Sequence, residues 1–240
     1  MKARFLLAGD TALVVEFGDR IERSVSDAVL RLSSRVREAR IPGVTETVPT
    51  YRSLMIHYDP LVTDSSRVRD AIEELLGRHS TESREVKLWR IPACYGVSHA
   101  PDLQDVAERA GLTTNDVVKL HVGTCFHVYM IGFVPGFPYM GDLPESLVLP
   151  RRTDPRVRVP AGSIAIAVGQ TAIYPLESPG GWHLIGATPI RLFDPASTQP
   201  ALLAPGDKVR FEAVDAREFA AISEAVARGV YRVPCETIAA

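Results

Sequence analysis

Cysteine and lysine are scarce in this sequence, apolar runs are short, and neither sign of charge dominates. The three cysteines, Cys94, Cys125 and Cys235, are odd in number and far apart. That excludes a disulfide framework and fits a reducing cytoplasm. A net charge of −2 over 240 residues gives no field strong enough to recruit nucleic acid or an anionic membrane. Only four of the 27 cationic side chains are lysines, a bias that codon usage explains as readily as function does. The opening "MKARFLLAGDTALVVEFGD" is broken at Gly9 and Asp10, too early for a signal h-region or a membrane span. G-x-x-x-x-G-K-[ST], G-x-G-x-x-G and G-x-S-x-G are all missing, so a nucleotide site would be unconventional or shared with another chain. There is neither an internal repeat nor a low-complexity tract.

Hydrophobic residues make up 46%, enough for a full core. The length suits one large domain or two small ones. "ALVVEF" reads as a strand. Val25, Ala28, Val29, Leu32 and Val36 then recur at helical spacing between Ser24 and Arg40. "IPGVTETVPT" and "RSLMIHYDP" read as strands, and a second helix runs from a cap at Asp64 through Val68, Ile72, Leu75 and Leu76 to Gly77. After a polar linker, "GRHSTESRE", "VKLWRIPACYG" resumes as a strand. Strand, helix, strand, strand, helix, strand is a ferredoxin-like order, with both helices on one face of a small sheet.

"APDLQDVAERAGLTTNDVVKLHVG" predicts two short helices around Gly111. Its small, turn and buried positions match a helix-turn-helix. The second helix, however, presents Asn115, Asp116, Lys119 and His121, which is no basic face, so a packed helical pair is the expectation. From Val128 on, "VYMIGFV", "SLVLP", "SIAIAVG", "AIYPLE", "WHLIGATPIRLF" and "KVRFEAV" are short strands punctuated by Gly and Pro, a pattern of barrels and sandwiches. "DAREFAAISEAVARG" is a last amphipathic helix.

Residues 126–144, "FHVYMIGFVPGFPYMGDLP", combine Phe126, Tyr129, Phe133, Phe137 and Tyr139 with Gly132, Gly136, Gly141, Pro135, Pro138 and Pro144. Loops are ordinarily polar and strands avoid interior Pro and Gly, so a rigid apolar loop points to something seated against it. Arg151, Arg152, Arg156 and Arg158 cluster in "PRRTDPRVRVPAGS"; guanidinium forks suit carboxylate or phosphate, although a solvated basic edge reads the same way. "SPGGWH" lets backbone approach closely beside Trp182. His121, Cys125 and His127 could suggest a metal, but no fourth ligand is evident.

"VYMIGFVPGFPYMGDLP", "PRRTDPRVRVPAGSIAI", "GQTAIYP" and "SPGGWHLIGATP", in this order, resemble the family of the bacterial 5-oxoprolinase B subunit, also known as allophanate hydrolase subunit 1. "GDTALVVEFGD" and "IPGVTETVPTYRSLMIHYDP" are similar to its N-terminal domain, so the resemblance spans most of the chain. It implies an α+β chain: a ferredoxin-like domain over residues 1–82 and a cyclophilin-like β-barrel over residues 83–240. It also implies a cytoplasmic chain that assembles with two further 5-oxoprolinase components, a homologous C subunit and an A subunit, without nucleic acid or membrane. The complex would open the lactam of 5-oxo-L-proline to L-glutamate using ATP. Other members imply alternatives: inhibition of a histidine sensor kinase, or a carboxyltransferase-type component acting on urea or allophanate. Carried onto this sequence, the resemblance places Arg151 and Arg152 at an anion and Gln170 at a carbonyl or amide as catalytic candidates. Gly132, Phe133, Pro135, Gly136, Phe137, Pro160, Gly162, Ser163, Tyr174, Pro179, Gly180, Gly181 and Trp182 become substrate-binding candidates. No metal is implied. Two positions depart from the family, Val168 and Ala172, where glycine is usual; a positive φ at either would strain the side chain.

Overall fold

Apolar side chains at helical spacing set the first two helices, and alternation sets the strands they cover. A computed structural model of the chain describes residues 3–77 and 85–239, in two compact units, 1–84 and 85–240. The first holds β1 (Arg4–Leu7), β2 (Ala12–Glu16), α1 (Arg23–Ala39), β3 (Val44–Pro49), β4 (Ser53–Tyr58) and α2 (Ser65–Gly77). Val25, Val29, Leu32 and Val36 form the buried stripe of α1, and Val68, Ile72 and Leu75 that of α2. Asp64 Oδ1 caps α2, accepting the N–H groups of Ser66 and Arg67 at 3.0 Å each. Leu13 and Val15 of β2 and Leu54 and Ile56 of β4 join both helices in one apolar cluster. The helices therefore share one face of an antiparallel sheet of order β1-β2-β4-β3.

One element of the expected ferredoxin-like order is placed elsewhere. Its last strand was to be "VKLWRIPACYG"; the edge beside β2 is held instead by β1, in register from Arg4↔Glu16 to Leu7↔Leu13. Mostly exposed along its length, β1 has no inward–outward alternation to betray it in the sequence. Of the expected linker, residues 78–84 lie outside the described residues, as does the boundary between 82 and 83.

The second unit runs β5 (Glu85–Ala93), α3 (Leu103–Ala110), α4 (Thr114–Gly123), β6 (Phe126–Ile131), β7 (Pro138–Gly141), β8 (Arg156–Val159), β9 (Ser163–Ala167), β10 (Gln170–Ile173), β11 (Ser178–Gly180), β12 (His183–Ala187), β13 (Lys208–Ala213), α5 (Ala216–Ala227) and β14 (Cys235–Ala239). Eight strands make one mixed sheet, β12-β9-β10-β7-β6-β13-β5-β14, and β8 and β11 pair separately. The expected closed barrel is corrected here. Cys94 and Ala187 exchange both backbone hydrogen bonds, at 2.8 and 2.9 Å, but no continuous ladder joins the ends. Along that edge of β5, β14 pairs from Glu85 to Trp89, and β12 meets the chain only at the isolated Cys94–Ala187 bridge past the end of β5. "SLVLP", expected as a strand, is a 3₁₀ turn at Glu145–Leu147. Flanking prolines 144 and 150 deny it ladder donors.

Alternation along β9, β10 and β12 buries this part of the sheet on both faces. Ile164, Ile166, Ile173 and Ile185 point into the main core with α3 and α4. Ala165, Ala167, Ala172 and Leu184 face the opposite way, against Phe137, Tyr174 and Trp182. Small alanines on that face leave room for the rings.

Candidate functional site

Loop 132–137 is tied by its own backbone: Gly132 N–H donates to the Phe137 carbonyl (3.0 Å), and Phe137 N–H to that of Val134 (3.1 Å). Gly136 has φ +78°, and a Cβ there would sit 2.8 Å from Phe193 Cβ. Phe133 holds φ +70° without being glycine and is 58% exposed. Left-handed backbone at a bulky residue persists where its surroundings enforce it, and such residues gather at functional sites. Behind Phe133, Phe137 is the hub of an edge-to-face aromatic cluster. Its ring centroid lies 5.4 Å from Phe133, 4.9 Å from Tyr139, 5.2 Å from Tyr174 and 6.1 Å from Trp182.

These rings wall a pocket of about 280 Å³, completed by Arg151, Pro155, Pro179, Gly180 and Gly181. A side chain at Gly180 would collide with the Tyr174 hydroxyl. Burial pushes the phenols of Tyr139 and Tyr174 up, while the guanidinium of Arg151 opposes the rise at both. Both therefore stay protonated at neutral pH and serve as O–H groups. Arg151 is exposed and, among the described residues, has neither ion pair nor hydrogen bond. The lining can hold an anionic group, pack a flat ring and polarise an oxygen. No carboxylate, imidazole, amine, thiol or aliphatic hydroxyl is among the lining residues.

Of the sequence-derived candidates, Phe133, Phe137, Arg151, Tyr174, Pro179, Gly180, Gly181 and Trp182 meet at this pocket. Gly132, Pro135 and Gly136 shape the loop beside it. Arg152 turns away to Asp102, 3.1 Å from Nη1 to Oδ1. Ser163 and Gln170 are buried on the alanine face without lining the pocket. Gly162 (φ +83°) has room for no side chain beside the Thr188 carbonyl, and Pro160 is exposed next to it. Val168 does carry a positive φ, +44°, followed by Gly169 at +78°, in the two-residue turn joining β9 to β10. Ala172 does not. Sequence reasoning missed Tyr139 and Pro155; Tyr139 stands two residues after Phe137, and period-two alternation would have placed it on the same face.

His121 is fully engaged. Nδ1 meets Tyr95 Oη at 2.7 Å, Nε2 meets Thr171 Oγ1 at 3.0 Å, and the ring stacks on Phe211 at 4.5 Å. The pocket does not fit ATP either, since a triphosphate needs several cations or a run of backbone N–H groups and the lining has one guanidinium. No helix among the described residues is long and apolar enough to cross a membrane.

The family profile described as "carboxyltransferase domain, subdomain C and D" matches residues 3–203. The 5-oxoprolinase B subunit of Escherichia coli O157:H7 is 43% identical over 214 residues, 88% of this chain and 95% of that protein. Its Bacillus subtilis (strain 168) counterpart is 35% identical over 230 residues, 90% and 95% of the two. Among solved structures, a conserved uncharacterized protein from Pyrococcus horikoshii has 36% identity and a TM-score of 0.54, covering 90% of this chain and all of that one. The Kluyveromyces lactis urea carboxylase, 21% identical, aligns over 99% of this chain and 24% of its own with a TM-score of 0.80, a likeness of fold alone. By the profile match and the near-complete overlap with both bacterial relatives, the chain belongs to the family of carboxyltransferase domain subdomains C and D, whose members include the B subunit of 5-oxoprolinase.

Proposed function

We propose that this chain is the B subunit of an ATP-dependent 5-oxoprolinase, a cytoplasmic component that helps open 5-oxo-L-proline to L-glutamate only when assembled with the C and A subunits. The observation that carries this reading is the unpaired Arg151 at the mouth of an aromatic pocket whose lining holds no carboxylate, imidazole, amine or thiol. A guanidinium suits the substrate carboxylate. Rings at edge-to-face spacing suit the flat lactam, and a phenolic O–H suits its carbonyl oxygen. A lactam is a poor electrophile, and developing negative charge on its oxygen is what such donors offset. Groups that activate and attack the carbonyl come from the partner proteins, as does ATP binding. Similarity to two bacterial 5-oxoprolinase B subunits across nearly their whole length supports the assignment.

The test is ATP-dependent glutamate release from 5-oxo-L-proline by this chain alone and co-expressed with the A and C subunits. Turnover in the co-expressed sample only is expected. No turnover in either, with assembly verified, would sink the reading and favour a urea-type or regulatory role.

A further inference from the structure

Arg151 has no partner of its own among the described residues, yet the residues on both sides of it are tied down. On one side, the Pro150 carbonyl lies 3.0 Å from Nε2 of His183. A carbonyl only accepts, so Nε2 carries the proton. His183 is 1% exposed, and its Nδ1 has no hydrogen-bond partner, with Asp105 Oδ2 3.8 Å away. On the other side, Arg152 N–H donates to the Gly181 carbonyl at 2.7 Å.

Asp102 fixes the rest of the segment. Its Oδ1 accepts from Arg152 Nη1 (3.1 Å) and Arg156 Nη2 (2.6 Å), and its Oδ2 from Arg156 Nη1 (2.8 Å) and the Leu184 N–H (2.7 Å). The carboxylate is 4% exposed, so its bonds are made in a low dielectric and resist exchange with water. Gly181, His183 and Leu184 all belong to β12 or the turn entering it. A single strand is thus the rail to which residues 150, 152 and 156 are fastened, with Arg151 between the fastenings.

We propose that Asp102 and His183 are positioning residues that hold the guanidinium of Arg151 at the pocket mouth. The assigned role of Arg151 rests on the function proposed above. Neither residue touches the pocket, and both act through the backbone that Arg151 hangs from.

The test is a double-mutant cycle in the assembled complex, measuring kcat/KM for 5-oxo-L-proline. Asp102→Asn and His183→Leu are each expected to lower it at least tenfold in the wild-type background. In an Arg151→Gln background the same changes are expected to cost less than twofold, because the residue they act through is gone. His183→Gln, which keeps an N–H at the end of the side chain, is expected to stay within threefold of wild type. Equal losses in both backgrounds would mean general structural damage and overturn the proposal; so would unchanged kcat/KM in the wild-type background.

A second readout separates this inference from the reading beneath it. Quenching of tryptophan fluorescence by iodide, relative to neutral acrylamide, reports cation density near Trp182 in the lone chain, with Trp89 as a constant background. Arg151→Gln and His183→Leu are each expected to lower the iodide preference, and the pair no further than either alone. A complex without 5-oxoprolinase activity but with this iodide pattern would retain the positioning roles while removing the proposed function. Additive losses in iodide preference would remove the positioning roles.

Discussion

Four arginines stand within eight residues, and the fold gives them three different jobs. Arg158 pairs with Glu177 on the surface at 2.9 Å, where such pairs contribute little. Arg152 and Arg156 neutralise Asp102 in a largely buried knot. Of the four, Arg151 alone has no carboxylate partner among the described residues, which is why the proposed function gives it the ligand. Replacing the two neighbours 151 and 152 one at a time should therefore give opposite signatures. Arg151→Ala is expected to change stability by less than about 0.5 kcal/mol and to lower kcat/KM of the complex roughly 10–100-fold, the worth of one charged hydrogen bond. Arg152→Ala is expected to lower stability by about 1–2 kcal/mol by stripping one partner from Asp102. Matching urea midpoints for the two variants would contradict this division. The Asp102 carboxyl adds a pH dependence. Burial pushes it up, but the hydrogen bonds from Arg156 and Leu184 and the two guanidinium charges hold it below its ordinary value. A depressed native value means that its stabilisation is present above the unfolded carboxylate range and lost as pH falls through the native one.

At the scale of elements, two features carry measurable strain or linkage. The β9–β10 turn places Val168 at φ +44° and Gly169 at φ +78°, the pattern of a type I′ hairpin that favours Asn-Gly. A β-branched residue there is strained by about 1–2 kcal/mol. Val168→Asn is expected to stabilise the protein by about 1 kcal/mol, read as a higher thermal midpoint; no gain, or a loss, would show that the exposed Val168 side chain makes up for its backbone. Helix α4 is pinned to the sheet through His121, and burial pushes that imidazole down to about 3. The unfolded chain takes up this proton near pH 6.5, while the native chain resists until about pH 3. Between those limits the unfolded state binds more protons, so stability falls with falling pH by about 1.4 kcal/mol per unit from this residue. Denaturant titrations at pH 7, 6 and 5 should show the decline, and His121→Gln should flatten it. An equal slope in both proteins would assign the effect elsewhere.

For the whole molecule, each sheet is assembled from its own stretch of chain. All strands of the four-stranded sheet precede residue 59, and all strands of the eight-stranded sheet follow residue 84. The apolar clusters divide the same way. A fragment of residues 85–240 is therefore expected to unfold cooperatively by itself. A urea melt without a transition would show that it depends on the first unit. The proposed catalysis belongs to a larger scale still, since the proposed function has the pocket hold and polarise while partner proteins bring the reacting groups.

Local rules written along the chain were legible in advance. The stripes of α1 and α2, the Asp64 cap and the glycine–proline–aromatic loop needed only residues within a few positions of one another, because helix period, capping and turn chemistry are short-range. Family motifs made most of the pocket wall legible as well. The role of Asp102 was not, because its partners are 50, 54 and 82 residues away and nothing in its own neighbourhood signals them. The same holds for the sheet left open beside β14, whereas β1 pairs with its near neighbour β2 and was hidden by exposed residues without alternation. Strand pairing and buried charge neutralisation join residues distant in sequence, so the amino-acid order determined which elements form and which residues could serve a site. Only the tertiary structure decided which arginine is free to serve it, because a guanidinium already bonded to a buried carboxylate is no longer available to a ligand.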